Sequence, residues 1–593
     1  MMNKFFLTFF LCLSGFAASA QHTAKISYSG GLINKESGFL IKGRGQAEAA
    51  IYLPARLLSG YAGASLSGVA VGFTTRKNVE TLRVWVRSSL TGENLAEGQI
   101  TSKEGQTIIQ GRNVVAFTKP YTLKANEDLY VGYTYQHRDK TNAVSIIPGR
   151  LENSCFIKVA ENAAWEDKHA EGVLSVEALV DGAALPAYDL GLLETQVEGC
   201  PAKDSVFVRS FVCNPGTKRV QGFELSVKER QTGRIFKHRF AMPISQGGVT
   251  QAEIGLAATH DAASGKHDWD VSISDLSDGN KDAIAANNSA AAKFSFLKSV
   301  AIEEFTTQHC RNCPRVSGYL KQVLSKEAFR DRAVVLCHHA GFQTDVFTID
   351  ADKAYTWFYN QDGLYAPAVM YDRFPFFKTD TKGLPTPLHT PELSDIEKYL
   401  SKRLLVPSNN YPAVKQVRVD GDRLEFDVEI FRLPTSEKAP DRLTVFLLED
   451  SIEAPQAGAP DAQHYKHMHV GRSVNETWGE SIDPAGGNVI RHYSFDLNPS
   501  WNRKNLAIVA LIGYYNENNI AECFIDNATI YRLSEISTGI GEITTDQKST
   551  ASQKTFYDLN GRQISADHLS AGIYIVREQA PNGSVKTSKI IVR

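Results

Sequence analysis

Apolar and polar residues alternate along most of this chain. Leu82, Val84 and Val86 take turns with Arg83, Trp85 and Arg87, and Leu129 to Tyr133 repeats the bias toward β-branched and aromatic residues. A period of two sends one set of side chains to each face of a strand, so residues 21–185 read as strands packed into a sandwich. Residues 186–297 continue in this manner: Val206, Val208 and Ser210 alternate with Phe207, Arg209 and Phe211, and Trp269 to Ile273 reads as a later strand. The Ala- and Asn-rich stretch from Ala283 to Lys293 lacks a sustained apolar period and reads as a turn-rich approach to the next domain.

At Val300 the pattern changes. Short β runs (Val300 to Phe305, Ala333 to Cys337, Ala368 to Tyr371) alternate with helical stretches (Val316 to Leu324, Asp352 to Asn360, Ser394 to Leu404). Such alternation predicts an α/β layer over residues 298–405. Strands return over residues 406–535, with Val417 and Val419, the Asp420-Gly421-Asp422 turn, and runs at Leu424 to Phe431, Leu443 to Leu448 and Leu506 to Ile512. The Ser/Thr/Gly-rich stretch 536–554 reads as a linker, and 555–593, with its Asn560-Gly561 turn, as a small β module. The expected fold class is therefore multidomain: β-sandwich modules flanking one α/β domain, with the 186–297 module of a length that suits an immunoglobulin-like sandwich. A chain of 593 residues fits several cores rather than one.

The amino terminus changes the picture of where the protein works. Lys4 precedes an almost wholly apolar run from Phe5 to Phe16, followed by the small-x-small pattern Ala18-Ser19-Ala20. Residues 1–20 read as a signal peptide, and Cys12 belongs to the part removed. No stretch reaches the length of roughly 20 apolar residues that a spanning helix needs, so no transmembrane span is expected. The 64 Lys and Arg against 66 Asp and Glu form no basic run, which excludes nucleic acid as an expected partner. Seven cysteines remain after cleavage (Cys155, Cys200, Cys213, Cys310, Cys313, Cys337, Cys523), in a compartment that permits disulfides. Cys200 and Cys213 flank one strand, and a bridge between them requires a bend that brings their Cα atoms within about 7 Å. Cys337 and Cys523 read as buried thiols, with a long-range bridge as the alternative.

The chemistry concentrates at Val300 to Pro314, where a buried strand and a short loop lead to Cys310-Arg311-Asn312-Cys313 before a helix. Cys310 at the helix start gains from the positive dipole end and from Arg311, both of which favour the thiolate, so Cys310 is the expected attacking sulfur. Cys313, about one turn on, is the resolving sulfur. The motif resembles that of thioredoxin-like domains, and the resemblance puts Glu304 where those domains carry a buried acid able to take the resolving thiol's proton. Ala366-Pro367-Ala368-Val369-Met370-Tyr371 looks like the cis-proline loop of thioredoxins, in which Pro367 would expose neighbouring backbone groups to an extended client. A static disulfide is the rival reading; zinc is weaker, since no second Cys-x-x-Cys or His-x-x-x-His lies at metal spacing. His464, His467 and His469 cluster, with His467 and His469 on one strand face, but no nearby carboxylate completes a set, and no metal or cofactor is expected. His338 and His339, after the second strand, read as packing at the core edge, with a place bordering the redox site as the alternative.

With these residues the 298–405 segment resembles thioredoxin-like domains, and Val300 to Leu533 resembles the outer-membrane-protein-twenty-eight-related family of Bacteroidota, through Glu303-Glu304-Phe305-Thr306, Cys310-x-x-Cys313-Pro314 and the region Trp501 to Ala528. Thr307 stands where that motif has a glycine. The last segment, with Leu569-x-x-Gly572-x-Tyr574 and Lys589-x-x-Val592, resembles the C-terminal sorting domain of type IX secretion cargo. The resemblances imply an exported protein of the cell surface or outer membrane, or one released, that partners the type IX secretion machinery. Two functions are expected. One is thiol-disulfide exchange with extracytoplasmic protein or peptide thiols, through Cys310, Cys313, Glu304 and Pro367. The other is a non-enzymatic adhesin or interaction protein with a structural disulfide. The exchange reading requires a sulfur within reach of a client.

Overall fold

Alternation of apolar residues produces what it should in the amino-terminal segment: two sheets, of seven and six strands, share one core. The computed structural model describes residues 23–36, 38–102, 108–277, 279–359, 365–379, 383–435, 438–483 and 487–535, and four strands between 553 and 592. The expected signal peptide, Cys12 and the expected linker as far as residue 552 lie outside the described residues. Two compact units divide the chain, 1–536 and 537–593. Strands dominate the described residues and helix is sparse. No helix among them is long and apolar enough to cross a membrane.

In the strand Val79–Arg87, Leu82, Val84 and Val86 enter the core as expected. Trp85 on the opposite face is buried as well, because that face is covered: its indole N–H donates to the Thr134 hydroxyl at 3.0 Å, and the Arg87 guanidinium lies 3.7 Å from the ring centroid.

Two four-stranded sheets come next, around Val206, Val208, Val227, Trp269 and Val271. The stretch from Ala283 to Lys293 corrects its expectation. Ser289–Ala291 and Lys293–Phe296 are strands, the latter parallel to Gly191–Cys200, since pairing with an existing sheet edge needs no apolar period of its own. The Cys200–Cys213 bridge is corrected too. Gly191–Cys200 and Ser205–Cys213 form a hairpin in which Cys200 faces Ser205 and Cys213 faces Gly191, so the two thiols sit at opposite ends of the ribbon. Cys155, Cys200, Cys213, Cys337 and Cys523 are all free and buried.

The α/β segment is built from β1 (Val300–Thr306), α1 (Cys313–Leu324), β2 (Ala333–His339), α2 (Asp350–Tyr359), β3 (Ala368–Tyr371) and α3 (Leu393–Leu404). β1 pairs parallel with β2 and antiparallel with β3. Both faces of β1 are buried, so its apolar residues do not alternate with exposed ones, and its two glutamates, Glu303 and Glu304, are buried with them. Val300 and Ile302 face α1 and α3 through Val316, Leu320, Val323, Ile396 and Leu400. Ala301 and Phe305 face α2 through Ala351, Tyr355 and Tyr359.

The same sheet runs on past residue 405. It takes in β4 (Arg442–Glu449), β7 (Val470–Val474), β8 (Leu506–Gly513) and β9 (Ile525–Arg532), in the order β3-β1-β2-β7-β4-β8-β9, with Glu480–Ser481 added beside β4. Between β4 and β7 the chain leaves this sheet as a separate two-stranded ribbon, β5 (Ile452–Ala454) and β6 (Tyr465–His467). In the second unit, Gln563–Ile564, Gln553–Tyr557, Gly572–Gln579 and Val585–Val592 form one antiparallel sheet in that order. Asn560, Gly561 and Leu569 lie outside the described residues.

Candidate functional site

The carboxyl end of β1 delivers the chain to the cysteine motif. Thr307, fully buried, starts a tight turn in which the Cys310 N–H donates to the Thr307 carbonyl at 2.9 Å, and Asp345 accepts from the Gln308 N–H at 2.7 Å. Cys310 and Cys313 are joined by a disulfide, with Cα atoms 5.5 Å apart. The helix begins at Cys313, after Asn312 and with Pro314 in its first turn, so Cys310 stands in the turn before α1 and not at the helix start that the sequence suggested. The turn satisfies the Cys310 N–H locally, and proline, which needs no N–H partner, sits in the opening turn of the helix.

Glu304 sits on β1 beside Cys337 of β2 and is 2 % exposed. Its Oε1 accepts from the Ser317 hydroxyl at 2.7 Å and its Oε2 lies 3.5 Å from the Cys337 thiol. The same Ser317 hydroxyl lies 3.3 Å from the Cys313 carbonyl oxygen, which ties the acid to the first turn of α1. Burial raises the Glu304 carboxyl above its ordinary range, against a partial opposing pull from Ser317 and Cys337. The Cys337 thiol is pushed well up, by burial and then by Glu304.

The Ala366–Pro367 bond is cis. Pro367 directly precedes β3, whose register sets Ala368 opposite Phe305, so Pro367 and the motif lie at the same end of the sheet. β3 is the edge strand, but His389 exchanges both backbone hydrogen bonds with Val369 and covers that part of the edge. Burial lowers the His389 imidazole to about 4.

Both sulfurs are covered: Cys310 is 3 % and Cys313 1 % exposed. The loop from Pro455 to Gly458, leaving β5, lies along the motif. Ala457 N–H donates to the Gln308 carbonyl at 2.8 Å, and the buried Gln456 amide donates to the carbonyls of Thr307 and Cys310 at 3.2 and 2.9 Å. Nothing local in the sequence signals this contact, which joins residues almost 150 positions apart.

The three clustered histidines separate. His464 pairs with Glu453 and His469 with Asp450, each at 2.9 Å, while the buried His467 ring packs beside His339 and Phe347. His469 has φ +57° beyond the end of β6, so it does not share a strand face with His467. The carboxylate partners come from β5 and the end of β4, eleven and nineteen residues away, and so were missed as neighbours.

On the opposite face of the sheet lies a buried charge network. Glu303 accepts a bidentate pair from Arg373 at 2.8 and 2.7 Å and contacts His338 Nε2 at 3.0 Å, while His338 Nδ1 lies 2.8 Å from Asp352. With a carboxylate on each ring nitrogen, His338 must donate from both and is a cation. Burial opposes that charge, but the bonds to Asp352 and Glu303 outweigh it and hold the imidazole up at about 9. Burial likewise opposes the Glu303 charge, and Arg373 overrides it, bringing the carboxyl down to about 2. Packing at the core edge, the expectation for His338, understates this role. The signal is present in Glu303 and His338, ionisable residues on two strands of the same sheet that are buried along almost their whole length.

No family model matches the chain, and no curated protein matches it. Among solved structures, it is similar to HBP35 of Porphyromonas gingivalis at 19% identity, over 50% of this chain and 99% of that one, with a TM-score of 0.35. A DUF4785 family protein from Legionella pneumophila is similar at 8% identity over 87% and 89%, with a TM-score of 0.18, and the β-glucuronidase of Ruminococcus gnavus at 9% over 50% of each, with a TM-score of 0.17. All three scores are too low to signify a shared fold.

Proposed function

We propose that this chain is an exported thiol-disulfide exchange protein whose working segment, residues 298–405, is thioredoxin-like and forms one end of the sheet that continues to β9. The β segments on either side act as partner-facing modules. One observation carries the reading: Ser317 links Glu304, a buried carboxyl group with a raised pKa, to the backbone carbonyl of Cys313, one residue of the Cys310–Cys313 bridge. A bridge kept only for stability gains nothing from an acid held in the core, whereas exchange needs a proton acceptor there.

With the bridge reduced, the Cys310 thiolate attacks a client disulfide, forms a Cys310–client bond and releases one client thiolate. Cys313 then gives its proton to Glu304 and attacks Cys310 Sγ, which re-forms the bridge and releases the second client thiolate. Two electrons pass to the client, and the reverse sequence oxidises a client dithiol. Pro367, at the same end of the sheet, aligns the client backbone. The burial of both sulfurs favours a second reading, a static bridge in a surface adhesin or interaction protein. Exchange with a peptide disulfide, followed for wild type, Cys310→Ser and Glu304→Gln, separates the two. Cys310→Ser is expected to fall to the rate of free solution exchange and Glu304→Gln by roughly a hundredfold. Wild type no faster than solution thiols leaves the static bridge.

Residues 555–593 are proposed as the address for type IX secretion, supported by the Leu569, Gly572, Tyr574, Lys589 and Val592 pattern and in keeping with the resemblance to the outer-membrane-protein-twenty-eight-related family. Deleting them in a cell with that pathway is expected to strand the protein in the periplasm; surface display unchanged by the deletion refutes the assignment.

A further inference from the structure

We propose that the ribbon loop 455–464 is a strap that closes the Cys310–Cys313 site and has to lift before any outside sulfur reaches the bridge. The proposal deepens the exchange reading, rests on it for its purpose, and gives it a closed state. Three observations converge on it.

The first is occupancy of the motif's backbone. The carbonyls of Thr307, Gln308 and Cys310 are all taken by donors from Gln456 and Ala457, and the Gln308 side-chain amide returns a bond to the Pro455 carbonyl at 2.9 Å. An extended peptide using those acceptors competes with the strap.

The second is closeness of approach. Gly458 has φ +77°, and a Cβ placed on it would stand 2.1 Å from the Arg311 carbonyl oxygen and 2.8 Å from the Arg311 Cα. Only glycine satisfies both the left-handed backbone and the backbone-to-backbone contact one residue from Cys310.

The third is mechanical independence. β5 and β6 pair with each other over three residues and with no strand of the large sheet. The ribbon joins that sheet near Ser451 and His469, at φ +60° and +57°. Lifting it breaks four hydrogen bonds to the motif and leaves every pairing of the main sheet in place.

Reduction of the bridge by excess dithiothreitol tests this in the full chain. The reductant's two sulfurs close a ring, and its two electrons and two protons convert the bridge to two thiols, which a maleimide quench counts by mass. In wild type the rate is expected to level off as dithiothreitol rises, because lifting becomes limiting. Gln456→Ala, which removes two buried hydrogen bonds to the motif, is expected to speed reduction at least about tenfold, and Gly458→Ala at least as much. A wild-type rate that stays linear in reductant overturns the strap, and because it is read on wild type alone it stands even if a variant misfolds. The exchange reading fails separately: a gated bridge that reduces as described but exchanges no peptide disulfide leaves the strap intact and removes the enzyme.

Discussion

Glu303→Leu is expected to cost the chain about 3–5 kcal/mol, the range for removing one partner from a buried ion pair. Glu303 is 0 % exposed and receives three charge-assisted hydrogen bonds, two from Arg373 and one from His338. Two carboxylates, Glu303 and Asp352, balance two cations, Arg373 and His338. Removing Glu303 leaves a guanidinium buried against Tyr355, 4.5 Å from the ring centroid, without its anion. Pairing Glu303→Leu with Arg373→Met removes both charges and is expected to recover much of the loss, since replacing an entire buried pair with apolar residues is often neutral. Urea titration of the two variants checks this, and equal losses for the single and double variants count against the network.

The second large effect is the alkaline loss of stability set by His338. Its pKa is about 9 in the folded chain against 6.5 for an ordinary histidine, so the folded state holds the proton more tightly. The stabilisation is complete below pH 6.5 and is lost as pH rises toward 9, by about 3 kcal/mol in all. His338→Gln is expected to abolish this difference: wild type minus variant should shrink steadily across that interval. Glu303 works at the other end. Its carboxyl is held at about 2 against 4.5, so its contribution is present above pH 4.5 and fades as pH falls toward 2. His389 and His467, both lowered to about 4 chiefly by burial, add to the acid loss between pH 6.5 and 4, because the unfolded chain takes up protons there first. Thermal melts from about pH 3 to about pH 9.5 report both limbs, and a wild-type minus His338→Gln difference that stays flat above pH 6.5 discards the assignment.

Much of the architecture was legible because local pattern and burial agree. β3 spans the expected Ala368 to Tyr371, and β1, β2 and the three helices begin and end within a few residues of expectation. The cysteine motif was legible as well, since its spacing alone permits a bridge across one turn. Local pattern failed where a partner came from afar. Trp85 looked exposed by alternation and is buried because Arg87 and Trp165 cover it. His464 and His469 looked carboxylate-free, and both have one.

Sequence alone determined the β-rich character, the α/β run at Val300 to Leu404, and the pair of cysteines joined in it. These depend on periodicity and on neighbours a few residues apart, which a linear reading contains. Tertiary structure alone decided that Glu304 faces one core and Glu303 the other, that Arg373, His338 and Asp352 meet around Glu303, and that a ribbon almost 150 residues downstream lies on Cys310. Those arrangements depend on how strands register across a sheet and which loop reaches over its end, and nothing in local propensity encodes that distance.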